Sequence, residues 1–283
     1  MIRLAVRVHR ADAELVLAEL LELAPGGVEE VDVDPHTVEY AVYGAPGELP
    51  ELPDLRAAAG QALVEISTTE VADDWAERWR EFHRPLVLGD RLSVRPPWEP
   101  AQGTSLELVI DPGRAFGTGA HWTTRLCLEL LLEVPVPAGP LAGGPAAIDL
   151  GCGSGVLAIA AAKLGFAPVL ALDYDPLCID ATLANAAANA VELSGVRRFD
   201  LREELVPPAP LVLANLLAPL LLTWSEQLRR SGSEPPGLVI ASGLLEHEAD
   251  RVAAAFAEVG LHEANRLIGG EWAALLLQSG GDR

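Results

Sequence analysis

The sequence predicts an α/β chain in two parts. A small α+β module of the split-βαβ, ferredoxin-like kind precedes a larger domain whose mostly parallel sheet carries helices on both faces and an antiparallel edge. Three observations predict this. Residues 1–70 read β-α-β-β-α-β, apolar strands alternate with helices from about residue 122, and two strand-like runs close the chain. With 283 residues, 50% hydrophobic and 22% charged, the chain has enough apolar material for a sizeable core.

Residues 2–8, IRLAVRV, alternate as a strand, and 11–23 set apolar groups at helical spacing until the APGG of 24–27 stops them. VEEVDVD and TVEYAVYG form strands about the turn-forming Asp34 and Pro35, a helical patch covers 54–62, and LVEISTTEV completes the module. Residues 71–105 read as a constrained linker: an amphipathic helix bearing Trp75 and Trp79, then the strand-like LVLGDRLSVRPPW with Pro96, Pro97 and Pro100. The larger domain, 106–283, opens on the strand LELVIDP. Helices are expected at 123–133, 155–165, 176–190, 218–230 and 245–259, strands at 146–150, 169–173, 210–214 and 237–242, and a final strand pair at 261–268 and 271–278. The Pro/Gly-rich VPVPAGPLAGGP at 134–145 reads as a surface loop.

Forty-one acidic against 20 basic side chains give a formal charge of −21. That argues against binding a nucleic-acid backbone, and for a monomer, yet it suits attraction of a basic protein by long-range steering. Cys127, Cys152 and Cys178 are scattered, with no metal-ligand spacing, as in a reduced cytoplasmic chain that holds no metal. The first residues carry charges too often for a signal peptide. The uncharged run 205–225 is interrupted by Pro207, Pro208, Pro210, Asn215 and Pro219, below the roughly 20 apolar residues of a spanning helix, so no membrane association is expected.

AAIDLGCGSGVLAIAAAKLG runs from a buried strand through Gly151, Gly153 and Gly155 into a helix, a turn whose bare backbone would let a ligand lie against N–H groups. Gly153, Gly155 and Ala158 also satisfy G-x-G-x-x-A, with Asp173 20 residues after Gly153 and placed for a ribose, so a nicotinamide dinucleotide remains an alternative. Asp149, just before the first glycine, favours a cofactor that carries a cation. The amino-acid part of S-adenosylmethionine (AdoMet) offers an ammonium and its nucleoside a ribose diol, whereas a pyrophosphate gains nothing from a carboxylate. The plainer reading of Asp149 is a cap for the loop.

Asn215 ends a buried strand in LVLANLLAPLLL, where ligands of open parallel sheets sit; its amide would accept a hydrogen bond from an incoming nucleophile, or cap the next helix. In DPGRAFGTGAHWTTRLCLELL, Gly113, Gly117 and Gly119 make a loop in which Phe116 would exclude water, and Thr123 or Thr124 would cap the following helix. His121 reads as a loop-orienting group rather than a general base. A methyl-transfer site built on Asn215 and the carbonyls after it would need no dedicated base.

Taken in order, AFGTGAHWTT, IDLGCGSGVLAIAAAKLG, ALDYDP and VLANLLAPLL closely resemble the PrmA family, AdoMet-dependent methyltransferases of the eleventh large-subunit ribosomal protein. The similarity extends through GGVEE, DDWAERWREFHRPLVLGDRLSVRPPWE, ASGLLEHEADRV and EWAALLL. The resemblance implies a Rossmann-like class I methyltransferase domain behind a substrate-recognition domain. It implies that Thr124, Gly151, Asp173 and Asn215 match cofactor-binding positions, and that the target amines are lysine side chains and a terminal α-amine. The 134–145 insert is longer than the family pattern leads one to expect, and the first domain matches it loosely.

Overall fold

The computed structural model divides into two compact units, Met1–Phe82 and His83–Arg283. It describes residues 2–10, 28–34, 36–44 and 59–70 with positions 13, 16, 17, 20, 49, 55 and 56 of the first, and 84–112, 121–136 and 146–280 of the second. In the first unit, β1 (Ile2–His9), β2 (Glu29–Asp34), β3 (Thr37–Gly44) and β4 (Leu63–Glu70) form an antiparallel sheet in the order β2-β3-β1-β4. That is the strand order of a split βαβ. Alternation puts Leu4, Val6 and Val8 on the face shared with Val38 and Tyr40, and the helical residues Val16, Leu20 and Leu55 bury against it. From the other face Arg3 and Arg7 reach Glu39 at 2.7 and 2.9 Å, and these bonds hold its carboxyl below the usual range.

The second unit begins with a three-stranded sheet of β5 (Leu86–Leu88), β6 (Leu92–Arg95) and β7 (Leu106–Val109). Here the structure departs from expectation. Residues 84–105 do not behave as a linker: Leu88, Leu92 and Val94 share a buried cluster with Leu126, Leu128 and Val156. The prolines that suggested a linker follow β6 rather than interrupt it, so its ladder survives. The expected helix bearing Trp75 and Trp79, like the greater part of the 134–145 insert, lies outside the described residues.

Then come α1 (Trp122–Leu131), β8 (Ala147–Leu150), α2 (Val156–Leu164), β9 (Val169–Asp173), α3 (Pro176–Ala188), β10 (Gly195–Arg198) and β11 (Leu211–Asn215). The chain continues with α4 (Ala218–Ser231), β12 (Leu238–Leu245), α5 (Glu246–Ala257), β13 (Leu261–Gly269) and β14 (Trp272–Ser279). The seven strands lie in the order β10-β9-β8-β11-β12-β14-β13, with β14 antiparallel between β12 and β13. The other neighbouring pairs are parallel. This is the class I methyltransferase arrangement that the resemblance implies. Apolar residues of α1, α2 and α3 cover one sheet face, and those of α4 and α5 the other, where Trp224 meets Phe256 edge-on at 5.3 Å.

β10 is the element that periodicity misses. It is a charged edge with exposed Arg197 and Arg198, so no apolar run marks it. The order reverses between β8 and β11, which locates the crevice of an open parallel sheet at their carboxyl ends. Side chains at the end of α3 and just past it fix the end of β7 near that level: Asn189 Oδ1 accepts from Val109 N and Asn185 Oδ1 from Asp111 N, both at 2.9 Å.

Candidate functional site

The loop from β8 to α2 takes its shape from glycine. Gly151, Gly153 and Gly155 have φ of +77°, +53° and +81°, a left-handed run that side-chain-bearing residues resist. The loop is tied to β9: Gly151 N and Cys152 N donate to Leu172 O at 2.8 and 3.0 Å, and Gly153 N donates to Asp173 Oδ2 at 2.8 Å. A Cβ on Gly151 would lie 2.4 Å from Leu216 Cδ2, and one on Gly155 2.9 Å from Thr182 Cγ2. The bareness of these two positions therefore serves protein packing as well as access for a ligand.

A cavity of about 490 Å³ opens at the switch point, lined by Thr124, Gly151, Gly153, Asp173, Asn215 and Leu216 among others. Sequence reasoning placed five of these together, and they are together. Asn215 Nδ2 donates to Thr124 Oγ1 at 3.4 Å, while its Oδ1 is enclosed without a partner among the described residues. The amide is thus turned with its acceptor unsatisfied, as a site for an N–H donor requires. Asp173 also accepts from Asp175 N at 3.0 Å, so its two oxygens sit at the end of β9, on the cavity wall.

Asp149 is placed differently from the expected contact with a cofactor ammonium. It is fully buried and not on the wall; its Oδ2 accepts from Ala158 N at 2.8 Å, in the first turn of α2. Burial pushes its carboxyl up to about 7, against the pull of the Ala158 N–H. The capping alternative describes this geometry, and Asp149 acts on the cavity through the loop it supports. Phe116 and its glycine loop lie outside the described residues. His121 caps α1, its Nδ1 accepting from Thr123 N at 3.3 Å, and packs edge-on against Trp272 at 4.8 Å. Burial lowers its pKa, in keeping with a neutral loop-orienting ring.

Several wall residues escaped the sequence analysis: Tyr174, Cys178, Phe199, Asp200, Leu201 and Arg202. Phe199, Asp200, Leu201 and Arg202 follow the unrecognised strand β10, and finding that strand would have found them. Asp200 receives Arg202 Nε and Nη2 at 2.9 and 2.8 Å, and this pairing holds its carboxyl at about 2. The guanidinium groups of Arg198 and Arg202 stand 4.8 and 5.2 Å from the Tyr174 ring. A cation–π bracket of this kind orders a half-exposed aromatic at a cavity rim. A second groove, of about 570 Å³, runs between α4 and α5, and carries neither the glycine loop nor the Asp173 carboxylate.

The family model described as ribosomal protein L11 methyltransferase (PrmA) matches residues 50–279. Among similar proteins, the ribosomal protein L11 methyltransferase of Pelotomaculum thermopropionicum is 38% identical over 223 residues, covering 78% of this chain and 70% of that one. The protein of the same name from Synechococcus elongatus is 41% identical over 214 residues, covering 72% and 69%. Among solved structures, a ribosomal protein L11 methylase from Lactobacillus delbrueckii subsp. bulgaricus superposes with a TM-score of 0.58 at 29% identity, covering 70% of this chain and 99% of the other.

Proposed function

Because the chain belongs to the PrmA family of ribosomal protein L11 methyltransferases, we propose that it transfers methyl groups from AdoMet to lysine and amino-terminal amines of ribosomal protein L11. One observation carries the reading: the glycine loop, the Asp173 carboxylate and Asn215, whose enclosed Oδ1 has no partner among the described residues, line a single cavity at the switch point of the sheet. A cradle of left-handed glycines backed by a carboxylate suits a nucleoside ribose and a cationic amino-acid group, and the apolar Phe199 and Leu201 with Tyr174 suit a flat base.

In this assignment Gly151, Gly153, Asp173 and Thr124 hold the cofactor, with Asp149 shaping the loop from beneath. AdoMet bound there supplies a methyl group already activated on a sulfonium. The work left to the protein is to present a neutral amine in line with it. At neutral pH roughly one lysine in 2,500 is neutral, against about one α-amine in seven. Asn215 Oδ1 and the carbonyls after it accept the N–H groups of the neutral amine, and the mainly apolar cavity wall disfavours its ammonium form. His121 holds the start of α1 in place without acting as a base.

The small first unit is the candidate for recognising a basic protein, to which an acidic chain of net charge −21 is electrostatically suited. The test is mass spectrometry of purified L11 after reaction with the enzyme and AdoMet. Added multiples of a methyl mass on lysine and terminal peptides are expected. Labelling of other proteins or small molecules with L11 untouched would overturn the substrate assignment, and binding of NAD in preference to AdoMet would overturn the cofactor.

A further inference from the structure

We propose that Gly243, in the ASGLL run of β12, is a positioning residue for methyl transfer: its bare Cα is the surface on which the Leu216 peptide rests, and that contact fixes the Asn215 amide in the cavity wall. The inference rests on the reading that this cavity houses the reaction. A Cβ on Gly243 would fall 2.5, 2.7 and 2.9 Å from the O, C and N atoms of Leu216. All three are backbone atoms, so no rotamer change relieves the clash; the peptide itself would have to move.

Leu216 is held at two further points. Its N–H donates to Ser242 O at 2.9 Å, and its side chain fills the space left by the missing Cβ of Gly151. Asn215 pairs in register with Ser242, whose Oγ donates to Ala273 O at 2.9 Å on β14. Gly243 has a φ of +82° and sits where the pairing of β12 with β14 slips, between Ala241 and Leu244. A bulge of this kind bends a strand and re-aims the groups beside it. The two glycines grip one residue between them, Gly151 by its side chain and Gly243 by its backbone. Displacing that residue shifts the adjoining Asn215 Oδ1 relative to the methyl donor, a misplacement that costs about 100-fold when it reaches 1 Å.

The test compares Gly243→Ala with the wild type for L11 methylation and for AdoMet binding by calorimetry. The expected result is a fall in kcat of at least about tenfold with AdoMet affinity retained. Gly232→Ala is the control, since Gly232 also has a left-handed φ, of +62°, but no atom within 4 Å of its would-be Cβ and so no peptide beneath it. It is expected to keep full kcat. Adding Leu216→Ala to Gly243→Ala should not restore turnover, because the clashing atoms remain.

Full kcat in Gly243→Ala, an equal loss in Gly232→Ala, or rescue by Leu216→Ala would each overturn the assignment. Should Gly243→Ala not fold, Leu216→Gly carries the test: it frees the same peptide without a clash, and undiminished kcat there would overturn it as well. A wild-type enzyme that binds AdoMet yet leaves L11 unmodified would instead refute the proposed substrate, a separate outcome.

Discussion

Replacing Asp149 by Asn tests the electrostatics beneath the glycine loop. The carboxyl is fully buried, and burial, aided by the Asp173 charge and opposed by the Ala158 N–H, moves it from a reference of 3.8 up to about 7. The Cys127 and Cys152 thiols are pushed up by burial and by the Asp149 charge, so they stay protonated and neutral and add no charge of their own. An unfolded chain ionises Asp149 near 3.8 while the native one keeps its proton until about 7. The native state therefore binds more protons in that window, and stability falls as pH rises through it. At 1.36 kcal/mol per pKa unit, the loss between pH 5 and pH 8 is about 2–3 kcal/mol. Asn keeps an acceptor for Ala158 without the charge, so Asp149→Asn should gain that amount on the wild type over the same span. Urea unfolding of both proteins without cofactor, at several pH values, measures the gap, and groups common to both cancel. A gap that stays constant with pH would refute the reasoning, since it would mean that the carboxylate is already paired or hydrated.

Asn215→Ala removes the unsatisfied acceptor and should lower kcat on L11 by about 100-fold with little change in stability, measured by initial rates and thermal melts. Asp173→Asn takes a charge from the cavity wall and from the Gly153 N–H, and should weaken AdoMet binding about tenfold or more in calorimetry. His121→Ala removes the cap of α1 and should cost about 1 kcal/mol in unfolding experiments but less kcat than Asn215→Ala; the opposite ranking of the two in turnover would reverse their roles. Phe256→Ala leaves a void beside Trp224 and should destabilise by about 3–5 kcal/mol in denaturant unfolding without altering AdoMet affinity per folded molecule.

The fold was legible wherever one local period decided it. Runs such as LVLAN and VLALD are buried on both faces and can only be interior parallel strands, and α4 and α5 carry their apolar stripes toward the sheet. β10 escaped because an edge strand has no second sheet neighbour to demand apolar side chains, and with it went Phe199, Asp200 and Arg202. Residues 84–105 were misread because proline was taken as a mark of linker, whereas these prolines stand just past a strand whose Leu92 and Val94 are core.

The site follows the same rule with a different consequence. Gly151, Asp173 and Asn215 were legible because each ends a strand or directly follows one, and strand ends of a parallel sheet converge without knowledge of any other contact. The role of Asp149 was legible only as the plainer of two readings, since its nearest sequence neighbour of note is the glycine loop while its hydrogen-bond partner is Ala158, in the first turn of the following helix. The contact of Gly243 was not legible. Its partner is the backbone of Leu216, and backbone atoms are the same for every residue type, so no residue pattern can announce that contact. A glycine in a strand interior, at a cost of about 0.5–1 kcal/mol relative to Ala in a regular element, is the only trace such a contact leaves in a sequence. Gly243 bears that trace, and it marks the place where the wall of the cavity is pressed into position.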